Sequence, residues 1–302
     1  MKKGEITPDV AARLVAAQFP QWAGLPVTPV KLDGWDNTTF RLGAELSLRL
    51  PSGEAYMCQV EKEQRWLPVL APRLPLRIPE PVALGSPGDE FPRPWSVYRW
   101  LSGETAALER IASLDGFAAD LARFLSALHA IDARGGPPAG SHNFFRGGPL
   151  DTYAAQSRDA LRLLERELDS GAATAAWEAA LVSTWQRPPV WVHGDVAPTN
   201  LLVEAGRLQA VIDFGSAGIG DPACDLVMAW TFFEGQSRDV FRAGLRLDDA
   251  TWARARGWAL WKALITLAEE KLGGTRADAA ARRFGWRWSA HDVIERVLAD
   301  RR

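Results

Sequence analysis

Residues 190–214 form a β-rich, apolar island inside a half of the chain that is otherwise patterned for helix, and no other feature limits the fold as much. Val190-Trp191-Val192 is followed by Leu201-Leu202-Val203 and then by Leu208-Gln209-Ala210-Val211-Ile212, so short strands frame a polar loop. Asp195, Asn200 and Asp213 fall at the ends of these strands between apolar neighbours. A purely structural loop has little reason to gather negative charge there, and carboxylates that converge in an apolar setting require a cation. The glycines that follow, Gly215, Gly218 and Gly220, are spaced G-x-x-G-x-G with no βαβ texture before them, which is not a dinucleotide fingerprint.

The flanking sequence supplies two different textures. Thr7 as N-cap, Pro8 in the first turn and Val10, Leu14, Val15 and Phe19 on one face predict a short helix. From Val27 to Pro94, runs punctuated by Gly and Pro (Val30-Lys31-Leu32, residues 38–42 and residues 46–50) predict a small antiparallel sheet, which the strand at 95–100 completes. One helix interrupts it at 60–70, which Pro68 ends or kinks. Leu101-Ser102-Gly103 reads as a hinge. Beyond it, Leu114, Phe117, Leu121, Phe124, Leu125 and Leu128 recur at helical intervals, and helices are expected at 152–168, 173–185, 238–245, 249–271 and 291–298, with a connecting loop at 134–149. Six of the 14 tryptophans lie beyond residue 226 at helical spacings, which makes most of them core residues and leaves one or two to line an apolar cleft.

Composition narrows the function. With 35 Lys+Arg against 37 Asp+Glu there is no global positive field, so nucleic acid is not an expected partner. Cys58 and Cys224 make no C-x-x-C or Cys/His ligand spacing, which points to a reducing compartment. Acidic residues and Arg13 interrupt the apolar run that a signal peptide would need after Lys2 and Lys3. The apolar stretch at 258–268 is broken by Lys262 and is too short to span a bilayer, so a cytoplasmic chain without membrane association is expected.

Hard oxygen donors without His or Cys among them suit Mg²⁺ shared with substrate phosphates. The template for phosphoryl transfer then assigns roles: one Asp accepts the proton of the attacking hydroxyl, an Asn five residues on holds metal, and an Asp on a second strand bridges metal and nucleotide phosphates. His193-Gly194-Asp195, Asn200 and Asp213-Phe214-Gly215 stand in that order and at that spacing. His193 reads as a hydrogen-bonded structural residue, because the template already has its base. Asp221 and Asp225 read as structural support, capping the following helix or orienting the loop. His129 and His291, on expected helices, read as surface or packing residues.

With Gly220-Asp221-Pro222-Ala223-Cys224-Asp225-Leu226 added to those motifs, the sequence resembles the aminoglycoside phosphotransferase/choline kinase family. Gly194 in place of the protein-kinase Arg, and only ten residues from Ser216 to Asp225, set it apart from a protein kinase. The resemblance covers nearly the whole chain and is densest at 190–226. It implies an α+β, bilobal, protein-kinase-like fold, with an antiparallel-sheet N-terminal nucleotide-binding lobe at 1–101 and a mostly helical catalytic and substrate-binding lobe at 102–302. It implies Asp195 as catalytic base, Asn200 and Asp213 as Mg²⁺ ligands, and ATP or GTP as phosphoryl donor. Asp36, Asn37 and Thr38 resemble part of the family's nucleotide-positioning loop. Arg49 stands where many relatives have Lys, with Glu63 as its partner and Glu61 as the alternative. Arg99 and Leu101 would face the adenine with their backbone.

The implied activity is transfer of a γ-phosphoryl group to a hydroxyl of an antibiotic of aminoglycoside or macrolide type. The alternatives are a kinase of a metabolic alcohol and a non-catalytic nucleotide-binding module. The expected partner is a small-molecule alcohol, with the chain a monomer or homodimer. Residues 226–302 carry 14 Lys+Arg against 10 Asp+Glu, which counts against a polycationic acceptor, and the tryptophans suit a flatter or more apolar alcohol.

Overall fold

Phe40 and Leu42 on one strand and Leu46, Leu48 and Leu50 on the next alternate with other residues, so they share one face of a sheet and bury it. In the computed structural model, which describes residues 2–30, 34, 36–273 and 282–300, this sheet has five strands. They are β1 (Val27–Pro29), β2 (Asn37–Leu42), β3 (Leu46–Pro51), β4 (Pro81–Gly85) and β5 (Trp95–Arg99), in the order β1-β2-β3-β5-β4 with every pair antiparallel. Helix α1 (Pro8–Gln18) begins where Thr7 Oγ1 accepts the N–H of Val10 at 3.3 Å, and its buried Val10, Ala11, Leu14 and Val15 join the sheet's core with Phe91, Trp95 and Val97. Gly85 is required by packing: a Cβ there would lie 2.0 Å from the Trp95 ring.

The strand expected at 30–32 falls largely on residues 31 and 32, outside the described residues; the described sheet begins earlier, at β1. Strand β4 was not announced by the sequence. Helix α2 (Met57–Leu70) runs past Pro68, which near the last turn removes only the bond from residue 68 to the carbonyl four residues back.

Residues 1–102 with 212–215 make one unit, and residues 103–211 with 216–302 make a second. In the second, α3 (Leu114–Ala130) packs its buried Phe117, Leu121, Phe124, Leu125 and Leu128 largely against the later helix at Gly235–Leu245. Helices α4 (Ala154–Leu163) and α5 (Ser170–Leu181) are each shorter than the sequence suggests, then come α6 (Met228–Thr231) and α7 (Gly235–Leu245). The long α8 (Asp249–Gly273) lies against α4, α5 and α9 (Ala290–Ala299). Two small sheets interrupt the helices: β6 (Glu104–Thr105) with β8 (Leu201–Glu204) and β9 (Arg207–Val211), and β7 (Val190–Val192) with β10 (Gly218–Gly220).

This is the kinase-like α+β architecture, a sheet-rich N-terminal part followed by a helical remainder. Trp230, Trp252, Trp258, Trp261 and Trp286 are buried, as their spacing predicts. Among the described residues no helix is long and apolar enough to cross a membrane.

Candidate active site

The loop after β7 is held from below by acids. Asp225, fully buried, accepts the backbone N–H of His193 at 2.8 Å on one carboxylate oxygen and that of Gly194 at 2.7 Å on the other. Burial raises its pKa, while His193 and the two N–H groups pull it back. Gly194 has φ +83°, and a Cβ there would meet the carbonyl oxygen of Ser216 at 2.4 Å, so only glycine allows this turn. His193 is fully buried, and its Nδ1 accepts the N–H of Asp195 at 3.2 Å. Asp221 accepts the N–H of Ala223 at 3.0 Å, capping a short turn, and forms a buried ion pair with Arg254 of α8 at 2.6 Å.

Asp195 emerges from this support with both carboxylate oxygens occupied. Oδ1 lies 2.9 Å from the ammonium of Lys262 on α8, and Oδ2 accepts from Asn200 Nδ2 at 3.2 Å, which also donates to the carbonyl of Asp195 at 2.9 Å. Burial alone would raise the carboxyl pKa; Lys262 outweighs it and, with Arg146 and His193, brings it down to about 2. Asp195 is therefore ionised at neutral pH. The cavity beside it is lined by Arg146, Cys224, Val227, Trp258, Trp261 and Lys262.

In the first unit, Arg49 of β3 binds two acids. Its Nη1 lies 3.2 Å from Glu63 of α2 and its Nη2 2.9 Å from Asp213. Glu63 also accepts the hydroxyl of Tyr98, and exposed Glu61 is not the partner. Burial works against the charge on Arg49, but Glu63 and Asp213 outweigh it, so the guanidinium stays protonated. Burial and the nearby Glu63 push the Tyr98 hydroxyl up, keeping it neutral. Asp213 has φ +67°, a left-handed conformation rare for a residue other than glycine, and such strain gathers at functional sites.

Asp36, Asn37 and Thr38 lead into β2. The carbonyl of Asp36 accepts from Ser52 N–H at 2.8 Å, and its Oδ2 accepts from Gln59 Nε2 at 3.2 Å. Asn37 and Thr38 are buried, and Thr38 Oγ1 has no hydrogen-bond partner among the described residues. The N–H of Arg99 is engaged by the carbonyl of Glu80 at 2.9 Å, and its side chain pairs with Glu80 on the surface. Leu101 is half-buried at the end of this unit.

Four residues here were not singled out by sequence reasoning: Lys262, Arg146, Arg254 and Lys62. Lys62 donates to the carbonyl of Gly215 at 2.6 Å, and burial lowers its pKa to about 8, with Glu63 resisting. Lys262 did leave a signal, as the one charge in the apolar stretch 258–268. Arg146 sits in a Gly-rich loop and left none. His129 is half-buried, within the surface-or-packing reading; desolvation lowers its pKa to about 4, and its Nε2 has no partner among the described residues.

The donor chemistry fits Mg²⁺. Among the described residues no three His, Cys, Asp or Glu side chains cluster to hold a metal ion. Asn200 offers an amide oxygen and Asp213 a carboxylate, donor types that Mg²⁺ takes beside phosphate oxygens and water.

Residues 27–258 match the family model described as "Phosphotransferase enzyme family". An aminoglycoside 3'-phosphotransferase from Escherichia coli is 37% identical over 71 residues, which are 23% of this chain and 26% of that protein; the match thus spans about a quarter of that relative's length. Among solved structures, the GDP and kanamycin complex of APH(2")-IIia superposes with a TM-score of 0.72 at 20% identity, covering 97% of this chain and 99% of that one. Macrolide 2'-phosphotransferase MphH from Brachybacterium faecium superposes with a TM-score of 0.61 at 24% identity, covering 91% and 98%. These structural likenesses speak to the fold.

Proposed function

The chain belongs to the phosphotransferase enzyme family, and on that premise we propose that it transfers the γ-phosphoryl group of ATP or GTP to a hydroxyl of a small molecule of antibiotic type. The observation that carries this reading is the state of Asp195: half-buried, ionised, and gripped by Asn200 five residues on and by Lys262. A carboxylate so placed accepts the acceptor's proton as the hydroxyl attacks phosphorus.

On this reading residues 1–101 are a nucleotide-binding lobe and residues 102–302 a catalytic and acceptor lobe. Arg49, kept in place by Glu63, holds nucleotide phosphate, and the fork of its guanidinium suits that task. Asp36, Asn37 and Thr38 line the phosphate loop, and the backbone at Arg99 and Leu101 receives the base. Asn200 and Asp213 would hold Mg²⁺, which supplies charge neutralisation on the phosphates when bound. His193, Asp221 and Asp225 support the loop. The chain works in the cytoplasm as a monomer or homodimer.

The Asp195 cavity favours one side of the antibiotic class. Arg146 and two indoles, Trp258 and Trp261, line it beside the Asp195–Lys262 pair, so the lining carries one net positive charge. Like charges across an interface cost several kcal/mol, roughly, so an acceptor with few ammonium groups near the reacting hydroxyl, as in a macrolide, suits it better than a polycation.

The test is Mg²⁺-dependent release of ADP or GDP by wild type and Asp195→Ala across aminoglycosides, macrolides, choline-like amines and sugar alcohols. Release stimulated by a macrolide and lowered about 10²–10⁴-fold in the variant is the expected result. Nucleotide binding with no Asp195-dependent release on any acceptor would replace the reading by that of a binding module.

A further inference from the structure

Arg146 makes no ion pair among the described residues, although it shares a cavity with Asp195 and its charge acts on that carboxylate. Its guanidinium centre lies 4.7 Å from the ring centroid of Trp261, 5.4 Å from that of Trp258 and 5.6 Å from that of Tyr153. Its one hydrogen bond from the side chain goes from Nη1 to the Tyr153 hydroxyl at 3.2 Å, and among the described residues no carboxylate lies within ion-pair distance. Ring faces attract a cation without neutralising it. A guanidinium has five N–H groups, so most of its donors stay available for a ligand.

The loop that presents it is built at a cost. Phe144 and Phe145, the two residues before it, both have left-handed backbones, with φ of 53° and 57°, and both remain exposed. Such conformations are strained for residues other than glycine and persist only where the surroundings hold them. Asn143, fully buried, fastens the loop: its Oδ1 accepts from Gly140 N–H at 3.0 Å and its Nδ2 donates to the carbonyl of Arg146 at 2.9 Å. A surface arginine needs none of this. The same cavity contains Asp195 and Lys262, and between Asp195 and Asn200 the sequence Val196-Ala197-Pro198-Thr199 offers no cation of its own.

We propose that Arg146 is the seat for an oxyanion beside Asp195, and that this oxyanion is the phosphoryl group in transfer. This rests on the phosphotransferase reading above. The acceptor hydroxyl gives its proton to Asp195; its oxygen forms the new bond to phosphorus. The bond from phosphorus to the bridging oxygen breaks, and the nucleoside diphosphate leaves with that electron pair. Arg146 donates N–H groups to the non-bridging oxygens, where negative charge must be balanced as the bonds exchange. An acidic group on the acceptor is the other source of the same anion chemistry.

The experiment compares wild type, Arg146→Lys and Arg146→Met in three measurements. The first is binding of inorganic phosphate, read by ³¹P line broadening, which needs no turnover. The second is release of ADP from Mg-ATP with water as acceptor; the third is kcat and KM for whichever panel alcohol stimulates release. The proposal expects phosphate broadening to vanish in Arg146→Met. It expects ADP release to water and kcat to fall about 10²–10³-fold, the usual loss for one transition-state donor, with KM for ATP unchanged and partial recovery in Arg146→Lys. Unchanged broadening and unchanged kcat, with only thermal stability lowered, overturns it and leaves Arg146 a packing residue. Unchanged release to water with a raised acceptor KM also overturns it, because the anion then belongs to the acceptor. If Asp195→Ala releases ADP as fast as wild type, the phosphotransferase reading has failed; the phosphate-binding comparison still decides whether Arg146 seats an oxyanion.

Discussion

Arg254 meets Asp221 as a buried pair, with Nε 2.6 Å from one carboxylate oxygen and Nη2 3.3 Å from the other. Arg254 also reaches Ser183, just past α5, so α8 is tied at this point both to α5 and, through Asp221, to the segment that follows the Asp195 loop. Removing one member of such a pair strands a charge in a dry site. Arg254→Met should therefore lose about 3–5 kcal/mol in urea unfolding, and Asp221→Asn in the same chain should recover part of that loss. Strict additivity of the two substitutions would mean that the pair is not coupled.

Asp225→Asn keeps the shape but places an amide NH₂ where one backbone N–H of His193 or Gly194 now finds an acceptor. One buried donor is left unpaired, at about 1–3 kcal/mol. The expected outcome is a lower melting temperature together with a fall of at least about tenfold in kcat, because the loop that carries Asp195 loses its anchor. Melting and turnover assays on one preparation check both.

Arg49→Lys shortens a fork that reaches Glu63 and Asp213 at once. A single ammonium cannot reproduce both contacts with the same geometry. The expected result is a several-fold rise in KM for nucleotide with a smaller change in kcat, read from initial rates at saturating acceptor. An unchanged KM would detach Arg49 from nucleotide binding.

His129 gives a pH signature outside the active site. Burial lowers its pKa from 6.5 to about 4, so the unfolded chain takes up this proton before the folded one does. The contribution to stability is present above pH 6.5 and is lost as pH falls toward 4, at about 1.4 kcal/mol per pH unit. His129→Phe should flatten the stability profile in that window, which chemical denaturation at half-unit pH steps would show.

The sequence revealed the parts of this molecule that local chemistry dictates. Asp195 and Asn200 were legible from their five-residue spacing, Asp213 from the Phe214-Gly215 that follows it, and the Arg49–Glu63 pair from the family resemblance, which sets a strand cation against a helix acid. Strand β4 was not, since Pro81 and Gly85 bound a run of only three residues, and a register shift between Pro81 and Ala83 breaks its pairing with β5. The partners of the Asp195 carboxylate escaped because they are distant in sequence: Lys262 lies 67 residues beyond Asp195, and no local rule connects a helix lysine to a loop that far away. Arg146 belongs to a loop whose left-handed phenylalanines no propensity would suggest.

Helix α8 carries both the anchor, Arg254, and the ammonium at Asp195, Lys262. Eight residues separate them, about 12 Å along the axis, and one residue more or fewer would swing Lys262 by about 100°. The stretch is thus a ruler. Substitutions on its outward face are free to accumulate, but an insertion or deletion between 254 and 262 would swing the lysine off its carboxylate, so changes of length in this half of the molecule belong elsewhere.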